Sequence, residues 1–150
     1  MSDNWIIVIP EEPDFVPDSA AQEEAIALFR TIAPRADEIV SQVTDKIRFI
    51  DCGANLRGII CPVCGADIAI DWWQDRMDEE YEADYPLRPV ELPCCRTMRP
   101  LGDLKFDWPQ GFARFSIEAM NPDIGDLEPD QVMAFERLLG CKVRKVLQHL

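Results

Sequence analysis

The chain has 150 residues, length for about one domain, and its 47% apolar and 29% charged content is that of a folded globular protein. Twenty-eight acidic against 15 basic side chains give a formal net charge of −13, which opposes binding to nucleic-acid phosphates and to anionic membrane surfaces. A single histidine leaves almost no material for histidine-rich metal chemistry or a Ser–His–Asp triad, whereas six cysteines invite thiol or metal chemistry.

In chain order, Trp5-Ile6-Ile7-Val8-Ile9 is apolar at every position and stopped by Pro10, which predicts a strand buried on both faces. Without a basic leader, this five-residue run falls short of the roughly 7–15 apolar residues of a secretory signal. No stretch approaches the roughly 20 apolar residues of a membrane span. A cytoplasmic location follows as the expectation, with cysteines reduced rather than bridged. Ser19 with Gln22 forms a capping-box signature. Ala21, Ala25, Leu28 and Ile32 then predict a helix ending near Pro34. Lys46 to Asp51 reads as a second strand.

Farther along, Ala113, Phe115, Ile117 and Ala119 alternate with Arg114, Ser116 and Glu118, the period of a half-buried strand. Pro129 sits at a helix start, and Val132, Phe135 and Leu139 give that helix an apolar stripe ending at Gly140. Cys141 to Leu150 fits a last strand. Strand–helix–strand, an interruption, then strand–helix–strand predicts the α+β class. The expected arrangement is one domain over residues 1–150, a ferredoxin-like βαββαβ sandwich with residues 52 to about 111 inserted.

The insertion carries the chemistry. Gly58-Ile59-Ile60 leads into Cys61-Pro62-Val63-Cys64-Gly65, and Asp67 to Ile70 alternates, so the motif reads as the bend of a short hairpin. Two residues between cysteines let one tight turn aim both thiolates at a single ion, with backbone N–H groups free to donate to the sulfurs. Downstream, Pro93-Cys94-Cys95 offers two more sulfurs, and a tetrahedral zinc site takes four at about 2.3 Å. Cys64 and Cys94 are separated by 29 intervening residues, longer than the usual ribbon loop, and a helix explains the excess. Asp71 is its expected cap, with Trp73, Met77 and Tyr81 as its apolar stripe. Cys52 is the reserve ligand should Cys94 or Cys95 stand aside. Cys141 reads as a core residue and His149 as a surface or edge residue.

Residues 58–70 resemble the first knuckle of zinc-ribbon proteins, and the insertion resembles a ribbon with a helical insert. The resemblance implies a structural zinc at Cys61, Cys64, Cys94 and Cys95. It departs from the ribbon pattern at the adjacent Cys94-Cys95, where a ribbon has a second pair spaced by two residues. Two other readings remain at this level. The thiols are simply buried, or Cys-Pro-Val-Cys is a redox dithiol, although no helix start follows it to lower a thiol pKa.

The charge is uneven. Residues 1–29 hold seven acids and no base, and residues 66–91 hold nine acids and two bases, so the remaining chain nets +1. These stretches read as solvated faces or as a surface presented to a basic partner. The expected function is a non-enzymatic, zinc-stabilised acidic module that binds, and in one form neutralises, a basic protein, with no nucleic-acid or membrane partner. The alternative is an enzyme using the cysteine cluster, as thiol redox catalyst or open-site zinc hydrolase.

Overall fold

Five consecutive residues, Ile6 to Pro10, are buried in the strand Asn4–Pro10 (β1), as an apolar run without alternation requires. The computed structural model describes residues 2–150. The elements that follow are α1 (Ser19–Ile32), β2 (Glu38–Ile50), β3 (Gly58–Ile60), α2 (Ile70–Glu82), β4 (Val90–Glu91), β5 (Met98–Arg99), β6 (Lys105–Asp107), β7 (Gly111–Met120), α3 (Pro129–Leu139) and β8 (Val143–His149). The chain is therefore α+β, with three α-helices among the described residues and a four-stranded sheet in the order β2-β7-β1-β8. Every neighbouring pair in that sheet is antiparallel. No helix among the described residues is long and apolar enough to cross a membrane.

One sheet face carries α1 and α3. Ile6 and Val8 from β1, and Phe115, Ile117 and Ala119 from β7, meet Ala25 and Phe29 of α1 and Phe135 and Leu139 of α3. The rings of Phe29 and Phe135 meet edge-on at 5.1 Å between centroids. This burial, at about 1.5–3 kcal/mol per large apolar side chain, is what positions the two helices.

Three local expectations are corrected. The cap of α1 is Asp18, not Ser19: its carboxylate accepts the Ala21 N–H at 2.8 Å, and the centre of the buried stripe is Phe29, one position beyond Leu28. β2 begins at Glu38, eight residues before Lys46. It is an edge strand with mostly half-exposed side chains, and its register with β7 shifts between Val43 and Arg48, so no single period runs through it. α2 starts after Ala69 without a side-chain cap, and Asp71 lies in its first turn. Trp73 and Met77 are buried as expected, but Tyr81 is 70% exposed and Glu80 takes the inward place.

The opposite sheet face is covered as well. Ile7 and Ile9 of β1 cluster with Val146, Ile50, Cys52 and Ala113. Beside them the segment between β2 and β7 packs its own core of Ile59, Ile68, Trp73, Met77, Leu92, Leu101, Leu104 and Phe106 against Phe112. A chain of rings joins the two: Phe49 of β2 lies 5.3 Å from Phe112 and 6.0 Å from Trp73, and Trp73 lies 5.7 Å from Phe106. Ser116, on the face of β7 opposite Phe115 and Ile117, is fully buried. It accepts from Arg48 and donates to Glu118.

Candidate metal centre

β3 delivers Cys61 into a tight bend. Its N–H donates to the Ala66 carbonyl at 2.9 Å and its carbonyl accepts the Gly65 N–H at 3.1 Å. Gly65 holds a left-handed φ of 76°. Inside the bend, the N–H groups of Val63 and Cys64 both donate to the Cys61 sulfur at 3.4 Å. These are the donors expected for a thiolate held by a knuckle.

β4 and β5 close a second bend with the same wiring. The Leu92 N–H donates to the Thr97 carbonyl at 3.0 Å, and the Leu92 carbonyl accepts the Arg96 N–H at 2.9 Å. Arg96 adopts a left-handed φ of 61°, as Gly65 does in the first bend. Superimposing the two patterns puts Leu92 where the first bend has Cys61, Pro93 where it has Pro62, and Cys95 where it has Cys64. The adjacent cysteines are thereby explained. Leu92, fully buried, fills the first-cysteine position with an apolar anchor, and Cys94, at the third position, provides the missing sulfur. The shared proline and spacing, Cys-Pro-Val-Cys-Gly against Leu-Pro-Cys-Cys-Arg, was the signal from which this correspondence was readable.

The bends face each other. The sulfurs of Cys61, Cys64, Cys94 and Cys95 lie within 4.8 Å of one another, and Cys61 Sγ stands 3.8 Å from Cys95 Sγ. Sulfurs tetrahedrally placed at about 2.3 Å from a zinc ion are separated by about 3.8 Å, whereas a disulfide needs about 2.05 Å. All six cysteines are free. No family model, curated protein or solved structure matches this chain. The centre is therefore read from its own geometry.

That geometry shifts the pKa values of the thiols in opposite directions. The N–H groups of Cys64 and Val63 hold Cys61 down to about 6. Desolvation of the sulfur and hydrogen bonds to its neighbours push Cys94 up to about 12. Four thiols this close cannot all ionise without a cation among them, so metal uptake displaces protons and weakens as pH falls. The donor set suits a thiophilic divalent ion in a closed tetrahedron. The helix start that usually supports a redox dithiol is missing, because α2 begins only at Ile70, six residues past Cys64; the Cys61 thiol is lowered instead by the bend's own N–H groups.

The remaining candidates lie elsewhere. Cys52 is fully buried and outside the cluster, and its thiol and N–H both point at Gln110 Oε1 (3.3 and 3.1 Å). Cys141 packs at the margin of the helix-side core, and the His149 ring pairs with Asn4. Burial pushes the Cys52 thiol from 9.0 up to about 11. A folded-state pKa raised above the unfolded one means stability fully present below about pH 9 and lost as pH rises towards 11. We expect Cys52→Ala to remove about 2–3 kcal/mol of that alkaline loss. Urea unfolding of both proteins at about pH 8 and about pH 11 checks it, and an equal loss in the variant would assign the effect to another group.

Proposed function

We propose that Cys61, Cys64, Cys94 and Cys95 hold one structural zinc ion. On this reading the chain is a ferredoxin-like βαββαβ sandwich whose insertion, residues 52 to about 111, is a zinc-ribbon-like module, and the whole acts by binding a basic protein. The single observation that carries the reading is the mutual approach of four thiol sulfurs from two bends of the same hydrogen-bond pattern. The strand order β2-β7-β1-β8, with both helices on one face, supports the sandwich. Four sulfurs leave no coordination position for water, which weighs against a zinc hydrolase.

The protein-binding role rests on charge. Among the described residues, the basic cluster of β8 and its approach is spent internally: Lys142 on Glu136, Arg144 on Glu11 and Lys145 on Asp126. The acidic stretches are left largely to solvent and to a partner. Protein purified without chelator is expected to carry about one zinc per chain. Replacing zinc with cobalt should give the absorption of a four-thiolate tetrahedral site. Less than a tenth of an equivalent of metal, with two fast-reacting thiols, would overturn the zinc reading.

A further inference from the structure

Between the cysteine-bearing segment and the end of β1 runs a cleft of about 590 Å³, within the roughly 300–1,000 Å³ of ligand pockets. We infer that this cleft is where the partner docks, by seating an arginine- or lysine-bearing segment with apolar neighbours. The inference rests on the protein-binding reading above and deepens it by naming the surface and the chemistry it takes.

The charged lining selects the sign. Glu11, Glu12, Asp14 and Asp103 face two guanidinium groups, Arg99 and Arg144, a balance of −2. Both cations are already engaged. Arg144 binds Glu11 at 2.9 Å and the Gln110 carbonyl at 2.6 Å, and Arg99 lies 3.8 Å from Asp103. Glu12 and Asp14 form no ion pair among the described residues and are exposed. They are the carboxylates available to an incoming cation.

The apolar lining selects its shape. Half-buried Ile47 and Leu87, backed by the buried Phe112, offer hydrocarbon surface, which suits the methylene stem of lysine or arginine while the head group reaches the carboxylates. The lining is also stiff. Five prolines contribute to it, and Leu87 is held at a left-handed φ of 54°. The inward Glu80 fixes that conformation by accepting the Leu87 N–H at 3.0 Å. A preorganised lining spares the partner part of the ordering cost of binding.

The cleft is coupled to the metal centre. Pro62 belongs to the first knuckle and Arg99 and Pro100 follow the second, so loading the cysteines fixes part of the lining. Metal and partner should therefore favour each other.

The test uses the metal-loaded full chain and the probe acetyl-Leu-Arg-Leu-Arg-Leu-amide, with NMR shifts of backbone amides as readout. Perturbations should centre on Glu12, Asp14, Ile47, Leu87 and Phe112. The double variant Glu12→Gln, Asp14→Asn should weaken the probe about five- to ten-fold and flatten its salt dependence. Glu23→Gln with Glu24→Gln removes the same two charges from the exposed side of α1 and should change affinity by less than about two-fold. Equal weakening by both double variants, or perturbations centred on the acids of α2, would overturn the cleft while leaving an acidic protein-binding module standing. Absence of binding at any site, with zinc still present at one equivalent, would overturn the cleft and the protein-binding role together.

Discussion

Stripping the metal is expected to unfold residues 58–107 while the four-stranded sheet survives. The secondary structure in that segment is slight outside α2. β3 and β6 share three residue pairs, and β4 and β5 share two, whereas an isolated two-stranded ribbon is marginal at best in water. A four-thiolate zinc contributes on the order of ten kcal/mol to the fold that assembles it, more than such short ladders supply. The sheet depends on a different core, in which Phe29, Phe115 and Phe135 are fully buried against α1 and α3. Hydrogen exchange should separate the two. With a strong chelator, the amides of Cys61, Gly65, Leu92 and Arg96, whose bonds close the two bends, should lose protection. Those of Ile6, Ile7 and Val8 in the central strand should keep most of theirs. Cys94→Ser should reproduce the chelator effect, and Cys141→Ser should not. Unchanged protection at Leu92 and Arg96 would mean that the apolar core around Trp73 holds the segment without metal.

How much of this was legible in the sequence depended on whether one physical signal dominated each stretch. β1 is apolar throughout because neighbours and layers surround it, and α3 carries a proline start, a capping box and a left-handed Gly140. These elements were readable to within a residue or two. β2 was half lost because an edge strand with a register shift keeps no single period. The inner face of α2 was misjudged at one position, where a carboxylate is buried in order to tie down the Leu87 N–H. The burial of Ser116 was not legible because alternation reports only that two faces differ. It cannot report that Arg48 of β2 and Glu118 of β7 engage the Ser116 hydroxyl on the second one. At the metal centre, the Cys-x-x-Cys bend was plain. The second bend was obscured because Leu92 occupies its first-cysteine position.

The joint between the sheet and the cysteine-bearing segment supplies the other large expected effect. Directly after β2, the Cys52 carbonyl accepts the His149 N–H at 3.3 Å, and the Ala54 N–H donates to the His149 carbonyl at 2.9 Å. Gly53 pairs with His149 in a parallel bridge between them. The chain thus leaves β2, touches the end of β8 and only then runs on to β3. Gly53 holds a φ of 64°, and a Cβ there would collide with the His149 backbone carbonyl. Two costs therefore add in Gly53→Ala: the left-handed conformation, about 1 kcal/mol for a residue with a Cβ, and displacement of a carbonyl that already accepts a hydrogen bond. Gly140 separates them. It holds a comparable φ of 74°, and a methyl group added there would meet nothing within 4 Å, so Gly140→Ala should cost about 1 kcal/mol. Gly53→Ala should cost about 3 kcal/mol or more, as read by urea unfolding of the metal-loaded protein. Part of its loss should appear as deprotection of Ala54 and His149, whose bonds hold the joint. Equal costs at the two glycines would mean that the end of β8 gives way freely, and that other ties, such as Asn55 to the Leu147 carbonyl and the rings of Phe49 and Phe112, hold the cysteine-bearing segment to the sheet.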